Sequence, residues 1–256
     1  MKKFISNKIV LTVIGIIVFL IGWLVISYAI DERSMVFPNP FVTFAEAFKL
    51  LGKQSLYIDI GYSMFRTLIG FLLAFGAAIL FGTLAGHFHF LEKIFKPTMI
   101  ALRSVPTVAL VFLFIVLSGA KWAPIFIVFL ISFPILYESV CGGFKSVDNE
   151  LLNATKVDGS NWIKTIWYIK LPLAMPYIFV GMVSSFALSF KIEIMAEVIT
   201  GDTGYGLGSS IAYAQSVDPA NMVPIFAYSI IAIIFIMLLT IFEVLVKKFV
   251  HLEDKK

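Results

Sequence analysis

Four ionisable residues lie within or directly beside long apolar stretches, where charge is costly and usually functional. Lys191, Glu193 and Glu197 directly follow an apolar run that ends at Phe190. Glu193 and Glu197 are four residues apart, so they share one face if this segment is helical. One interpretation is a polar patch that lines the outer end of a pathway through a membrane. The other, equally well supported, is a solvated outer loop.

Arg103 is the fourth such residue, and it lies three positions before Pro106 inside another apolar run. One hypothesis is that Arg103 helps to pass or gate an anion near the inner mouth of a pathway, and this gate then includes Pro106. The alternative is a snorkelling arginine, whose stem lies along apolar surface while its guanidinium reaches water.

The sequence lacks the patterns of several common active sites. A phosphate-binding loop needs Gly-x-x-x-x-Gly-Lys-[Ser/Thr], whereas the only Gly-Lys pair, Gly52-Lys53, lacks the earlier glycine and the hydroxyl residue. The glycine-rich residues 201–208 are not followed by lysine and favour a flexible or tightly turning loop.

Metal and enzyme signatures are also missing from the sequence. His87 and His89 are two residues apart, so they would not share a helix face, and they are interpreted as interfacial residues. No His-Glu-x-x-His motif, nucleophile elbow or pair of catalytic carboxylates is found. We therefore expect no enzymatic activity, no metal and no cofactor in this chain.

The composition is that of a membrane protein. Of the 256 residues 60% are apolar and only 14% are charged, with a mean hydropathy of +0.96, whereas soluble proteins contain about 25% charged residues. A soluble domain of this length could not bury so much apolar surface. The net charge of +4 does not indicate nucleic acid, because basic residues of membrane proteins gather at cytoplasmic ends. The single cysteine, Cys141, excludes an internal disulfide.

Six apolar segments approach the roughly 20 residues that a helix needs to cross a membrane. These segments are Ile9–Ile30, Met64–Gly86, Thr98–Ser118, Ala123–Val140, Leu173–Phe190 and Val223–Val246. The first could instead be a cleaved signal peptide, but its apolar run exceeds the usual length, and we expect it to be retained as an anchor. The sequence therefore predicts an all-α integral membrane fold with about six transmembrane helices.

The lysines and arginines predict the orientation. With the N-terminus inside, thirteen of them fall on the inner side, six fall on the outer side and Arg103 remains within a span. The six outer residues are Arg33, Lys49, Lys53, Arg66, Lys121 and Lys191. We therefore predict a multi-pass protein with both termini in the cytoplasm.

The first outer segment has its own pattern. Residues 37–40, Phe-Pro-Asn-Pro, form a stiff, extended piece. Beyond them, a helix would place Phe41, Phe44, Phe48 and Leu51 on one side, which predicts a short amphipathic helix at the outer membrane face. We predict a single transmembrane domain over residues 1–256, with the first span and this outer segment in 1–60 and the core in 61–250.

A polar segment, residues 148–172, separates the fourth and fifth spans. Asp148 can cap a first helix, Gly159 is typical of a helix end, and Ser160 or Asn161 can cap a second helix. Pro172 then opens the fifth span. The pattern predicts helix, tight turn, helix, with a polar face formed by Asn153, Lys156, Asp158 and Asn161. An ordinary loop and a docking surface for a cytoplasmic partner both fit it.

This segment resembles the EAA loop of ABC importer permeases. The shared pattern is an alanine, a glycine five residues later and Leu-Pro ending thirteen residues after the glycine, here Ala154, Gly159 and Leu171-Pro172. Two positions depart from it, because Asn153 replaces the family's glutamate and Thr155 its second alanine.

Other stretches resemble the branch of that family that serves nitrate, aliphatic sulfonates, taurine, bicarbonate and thiamine-precursor pyrimidines. They are residues 37–40, 102–106, 133–136, 142–148 and 196–199, and the last includes Glu197 in an Ala-Glu-Val pattern. The implied function is uptake of a small anionic or heterocyclic solute.

The resemblance implies a type I importer fold with a coupling helix that sits on a cytoplasmic ATPase. The ATPase-docking residues are then Asn153, Ala154, Thr155, Lys156, Asp158, Gly159, Ser160, Asn161, Leu171 and Pro172. The implied partners are ATPase subunits that bind ATP and Mg²⁺, an extracytoplasmic solute-binding protein, and a second permease copy, most simply as a homodimer. The implied location is the bacterial cytoplasmic membrane.

Two other functions are compatible with several spans. An ion-coupled secondary transporter would use Glu193 and Glu197 to handle ions, but such carriers often contain inverted repeats, and the sequence shows no convincing duplication. An integral membrane enzyme is disfavoured by the missing catalytic motifs. The permease of an ATP-driven importer is the leading prediction.

Overall fold

The computed structural model describes residues 8–30, 36–148, 161–201 and 204–253. Every regular element in these ranges is a helix. The helices are α1 (Lys8–Ile30), α2 (Pro40–Leu51), α3 (Gln54–His87), α4 (His89–Ser104), α5 (Thr107–Ser118), α6 (Ala123–Lys145), α7 (Trp162–Thr165), a π-helical segment (Ile166–Lys170), α8 (Leu171–Thr200), α9 (Leu207–Val217) and α10 (Val223–Glu253).

Five helices are long and apolar enough to cross a membrane: α1, α3, α6, the helix that runs from α7 to the end of α8, and α10. The bent pair α4–α5 is a candidate for a sixth span, so the predicted all-α fold is confirmed. Two predicted boundaries were wrong by ten residues: the second span starts at Gln54 instead of Met64, and the fifth ends at Thr200 instead of Phe190. The helices of the fourth and sixth spans also continue past their predicted ends, to Lys145 and Glu253. Hydropathy ended these segments beside polar residues, several of which, including Asp59, Ser63 and Glu197, are buried in the tertiary structure.

The predicted third span, Thr98–Ser118, is wrong as a continuous helix. It breaks at Val105 and Pro106, and the two parts meet at an angle of 94°. Val105 is extended, with φ −71° and ψ 128°, because the ring of a following proline disfavours the helical conformation. Pro106 then precedes the first turn of α5.

The contact between α3 and α6 depends on small residues. Ala74 and Ala78 of α3 are fully buried, and at Gly70 and Gly82 the helices approach so closely that no side chain fits. A Cβ atom on Gly82 would lie 2.8 Å from the Cβ atom of Val140, and one on Gly70 would lie 2.6 Å from the carbonyl oxygen of Ile125. Because lipid supplies little hydrophobic drive between helices, such close backbone packing is a main source of stability in membranes.

The other face of α6 packs against α8, so α6 lies between the two long helices. Ser132 of α6 and Ser189 of α8 are fully buried and hydrogen bonded to each other at 2.7 Å. Near the C-terminal end of α6, Gly143 lies against Ala174 of α8. These three helices form the main apolar core, which includes Phe144 and Ile178.

A second apolar cluster joins α2, α9 and α10 to α3 and α8, with Leu50, Phe190 and Ile231 among its buried members. The predicted amphipathic helix is confirmed as α2, where the side chain of Asn39 accepts a hydrogen bond from the amide of Phe41 at 2.9 Å. Its aromatic stripe is exposed, with Phe48 at 73%, which suits a helix that meets lipid.

We expect Gly82→Leu to destabilise the protein, because the new side chain would collide with Val140. Overpacking of this kind costs about 1–3 kcal/mol and would lower the apparent melting temperature of the purified protein in detergent. Gly76→Leu is the matched control, since a Cβ atom there meets no atom within 4 Å. Equal melting temperatures for the two variants would contradict the close contact between α3 and α6.

Candidate functional site

The buried polar residues of α8 lie on one face of the helix. Ser185, Ser189, Glu193 and Glu197 recur every four residues, and each is at most 2% exposed. Glu193 and Glu197 therefore share a helix face, as the spacing predicts. The alternative of a solvated outer loop was wrong for these carboxyls, because α8 continues through them to Thr200.

Glu197 is held by three donors from two other parts of the chain. Its Oε1 forms an ion pair with Arg66 of α3 at 2.9 Å, and its Oε2 accepts hydrogen bonds from the hydroxyl of Ser63 at 2.7 Å and the amide of Gly208 at 2.9 Å. Glu197 is completely buried, and the side chain of Arg66 is 9% exposed. The pair connects α3 to the C-terminal end of α8.

The first turn of α9 is hydrogen bonded to Asp59 and Ser63, which lie on the face of α3 that also carries Arg66. Asp59 accepts hydrogen bonds from the amide of Gly206 at 3.3 Å and the hydroxyl of Ser210 at 2.6 Å. The hydroxyl of Ser63 accepts one from the amide of Leu207 at 2.8 Å. Carboxylates and hydroxyls of the chain thus satisfy backbone donors that a helix leaves unpaired at its start.

Glycine is required where the chain crosses Glu197. Gly206 has a φ of +154°, and a Cβ atom there would lie 2.4 Å from Oε1 of Glu197. The sequence predicts a flexible or tightly turning loop at residues 201–208. Residues 201 and 204–206 form turns and bends, and Leu207 and Gly208 begin α9. Residues 202 and 203 lie outside the described residues. The glycines serve close packing on a buried carboxylate.

Glu193 differs from Glu197 in having no hydrogen-bond partner. It lies one helical turn away on the same face and is fully buried, yet neither carboxyl oxygen has a partner among the described residues. An unpaired polar group in an apolar interior costs about 1–3 kcal/mol. Glu193 therefore does not stabilise this conformation.

Lys191 occupies a different face of α8 and is exposed. No acidic side chain of the described residues forms an ion pair with it. Of the three clustered residues that the sequence singles out, Lys191 alone offers its charge at the surface of the single chain.

Arg103 ends α4 and contacts α6. Its guanidinium forms an ion pair with Glu138 at 2.7 Å and donates a hydrogen bond to the carbonyl of Pro134 at 3.1 Å. A cleft of about 450 Å³ lies beside it, lined also by Thr107 and Ile131. Pro106 is exposed at the bend beside this cleft. The structure thus gives Arg103 a definite partner, which the sequence did not reveal.

Most of the predicted ATPase-docking residues lie outside the described residues. These are Asn153, Ala154, Thr155, Lys156, Asp158, Gly159 and Ser160. Asn161 is extended and precedes α7, but its side chain makes no cap hydrogen bond, so the predicted cap does not come from this residue.

The predicted second helix of the polar segment is present, but it does not end before the fifth span. It continues through the π-helical segment into α8, with Leu171 and Pro172 in the first turn. The amide of Leu171 donates to the carbonyl of Ile166, five residues earlier. Proline lacks an amide hydrogen and crowds the preceding turn, and the wider π turn lies directly before it.

Sequence reasoning missed Asp59, Ser63 and Arg66 as site residues and assigned Arg66 to the outer loops. Their spacing of four and three residues places them on one helix face, which was the available signal. Their partners are more than 130 residues away along the chain, so the pairing itself was not visible. The described residues contain no group of His, Cys, Asp or Glu that could hold a metal ion.

Comparisons with known proteins agree on one kind of protein. The family model described as "Binding-protein-dependent transport system inner membrane component" matches residues 78–251, more than half of the chain. A probable ABC transporter permease protein of Brucella melitensis is 30% identical over 186 residues, which are 72% of this chain and 74% of the relative. A putative aliphatic sulfonates transport permease protein of Bacillus subtilis is also 30% identical and is covered to 67%.

A solved structure has the same fold. It is the MetNI methionine ABC transporter in inward facing conformations, with a TM-score of 0.65 and 15% sequence identity. The match covers 77% of this chain and 96% of that chain.

We expect Glu197→Leu to destabilise the protein strongly and Glu193→Leu to leave its stability equal or raise it. Leucine at position 197 would leave Arg66 buried without its carboxylate, which costs about 3–5 kcal/mol. Leucine at position 193 removes a carboxyl that has no partner. Both positions hold a fully buried glutamate of α8. Each variant is therefore the control for the other when the melting temperatures of the purified proteins are compared. A larger loss at position 193 would refute the partner assignment.

Proposed function

The chain belongs to the binding-protein-dependent transport system inner membrane components and is the permease subunit of an ABC importer, and we propose how it couples to its partners. A solute-binding protein delivers a small solute at the outer face. A separate cytoplasmic ATPase docks on the segment around residues 148–172 and drives opening of the path. ATP and Mg²⁺ bind the ATPase and not this chain.

One observation carries the coupling proposal: a single uninterrupted helical stretch leads from the polar segment to the outer site. It runs from Trp162 to Thr200, 39 residues, which is about 58 Å at 1.5 Å per residue. Its inner end continues the segment that carries Gly159, and Glu197 fastens its outer end to α3. Movement of the docked segment therefore reaches the outer end through a rigid element.

We infer that both termini lie in the cytoplasm. The inner ends of the helices carry Lys93 and Lys96 in α4, Lys145 at the end of α6, Lys164 in α7 and Lys247 in α10. Positive residues favour the cytoplasmic side of a membrane protein. The outer site around Glu197 then faces the binding protein.

We infer that the solute is anionic. Lys191 presents an unpaired positive charge, and Arg103 lies beside a cleft at the bend between α4 and α5. Positive groups along a path raise the local concentration of anions. A similar permease is named for aliphatic sulfonates, which are anions. Glu193 and Glu197 are both buried inside the single chain, so we do not assign them a contact with the solute.

We infer that two copies of the chain form one path. A single chain supplies five or six spans, and each copy would dock one ATPase. Closed two-fold symmetry is the commonest arrangement of identical subunits. Copies that carry two different affinity tags will co-purify if this is correct.

We expect Gly159→Asp to uncouple ATP hydrolysis from uptake while the protein stays in the membrane. Aspartate would disturb the turn that a glycine permits, so uptake into vesicles with the ATPase and ATP inside should fall at least tenfold. Gly52→Asp is the control, since Gly52 directly follows α2, far from residue 159 along the chain, and has ordinary space around it. Normal uptake by the Gly159→Asp variant would argue against the docking assignment.

The same vesicles separate the importer from an ion-coupled transporter. Uptake should persist when the proton gradient is collapsed and should stop without ATP. Cysteines introduced along residues 153–161 should crosslink to the ATPase, and because the sole native cysteine, Cys141, is buried, it will react little.

We expect Arg103→Gln to reduce uptake of an anionic solute and Glu138→Gln to preserve it. The first change removes the positive charge near the bend, whereas the second removes only its acidic partner. Initial uptake rates in vesicles at equal protein content provide the measurement. An Arg103→Gln variant with wild-type rates would eliminate Arg103 as a gate for anions.

A further inference from the structure

A cleft of about 470 Å³ lies along α4, outside the site described above. It is lined by Lys93, Lys96, Pro97, Ile100 and Ala101. Two ammonium groups therefore border a floor of three apolar side chains. This combination of charge and apolar surface is unusual for a pocket that takes a small polar solute.

The two lysines are free to bind an anion. Lys93 and Lys96 are three residues apart, so they project from the same side of the helix, and both are exposed. No acidic side chain of the described residues forms an ion pair with either. The nearby carboxylate of Glu92 is already occupied by Lys145 and by His89.

The position of α4 suits the surface of a membrane. The helix is bent by 94° from α5, so it lies across the direction of the following apolar helix. Its inward side buries Met99, whereas Phe90 is 71% exposed and Ile100 is 56% exposed. A helix with exposed apolar residues beside lysines is typical of an element that lies in the headgroup region with its apolar side in the acyl chains.

We propose that this cleft binds an anionic phospholipid of the surrounding membrane. The phosphate lies between Lys93 and Lys96, and an acyl chain lies along Pro97 and Ile100. Lysine ammonium groups bind phosphate as point charges, and the apolar floor excludes a free phosphate as the preferred ligand. The general preference of membrane proteins for positive residues at the cytoplasmic side explains why lysines occur at this end of the protein. It does not explain why an apolar cleft lies beside the two lysines.

The proposal is tested with the full chain in nanodiscs of phosphatidylcholine, with and without phosphatidylglycerol. Native mass spectrometry counts the phosphatidylglycerol retained after mild delipidation, and thermal unfolding measures its effect. For the wild type, phosphatidylglycerol should be retained and raise the melting temperature. A lysine near an anionic surface contributes about fivefold in affinity, so Lys93→Gln with Lys96→Gln should weaken retention about thirtyfold.

Two further variants separate a built site from general surface charge. Lys53→Gln with Lys121→Gln removes the same charge at exposed positions on the other side of the protein and should retain phosphatidylglycerol as the wild type does. Ala101→Trp keeps both lysines but fills the cleft, and it should lose the retained lipid.

The proposal stands if the α4 double variant and Ala101→Trp both lose the lipid while the Lys53 and Lys121 control does not. Any other pattern overturns it. Free inorganic phosphate that displaces the lipid in the wild type would also overturn it. Melting temperatures in phosphatidylcholine alone identify a variant that is simply misfolded, and the other variant then decides the outcome.

Discussion

The ion pair between Arg66 and Glu197 determines how α3, the C-terminal end of α8 and α9 are arranged. A charge buried in an apolar interior is stable only beside an opposite charge and with its remaining lone pairs occupied, and Glu197 meets both conditions through Arg66, Ser63 and the amide of Gly208. Because these donors come from α3 and α9, the carboxylate fixes three elements at once. The same requirement explains why glycines, and not larger residues, cross Glu197.

Close packing of α3, α6 and α8 also stabilises this arrangement. Along α3, small residues bring its backbone against α6, and α6 in turn packs on α8. Such contacts lose energy quickly when the helices separate, since they depend on short-range attraction. The core of α3, α6 and α8 is therefore rigid. The helices α4 and α5 meet at a break, and they are attached to this core through the buried side chains of Met99 and Val111 and through the ion pair of Arg103 with Glu138.

The helix from Trp162 to Thr200 connects the end of this core that follows the polar segment to the ion pair of Glu197. A continuous helix transmits a displacement along its length, whereas a loop would absorb it. The π-helical segment before Pro172 is the one irregular stretch in this path among the described residues, and such segments often occur at functional sites. It lies where the chain passes from the polar segment into the long apolar helix α8.

The sequence alone determined that the protein is an all-α membrane protein and that it contains the amphipathic helix α2, because these follow from composition and from short periodic patterns. Its prediction of about six spans agrees with five long apolar helices and one bent pair. It also singled out Glu193, Glu197, Lys191 and Arg103, because charge inside an apolar stretch is visible in one dimension. Only the tertiary structure decided their partners and surroundings. Arg66 and Glu197 are 131 residues apart along the chain. Glu193 has the same residue type as Glu197 and lies on the same helix face, yet it has no hydrogen-bond partner among the described residues. The break at Pro106 interrupts an apolar run that hydropathy treats as continuous. Contacts between distant segments depend on how helices pack, which no local pattern records.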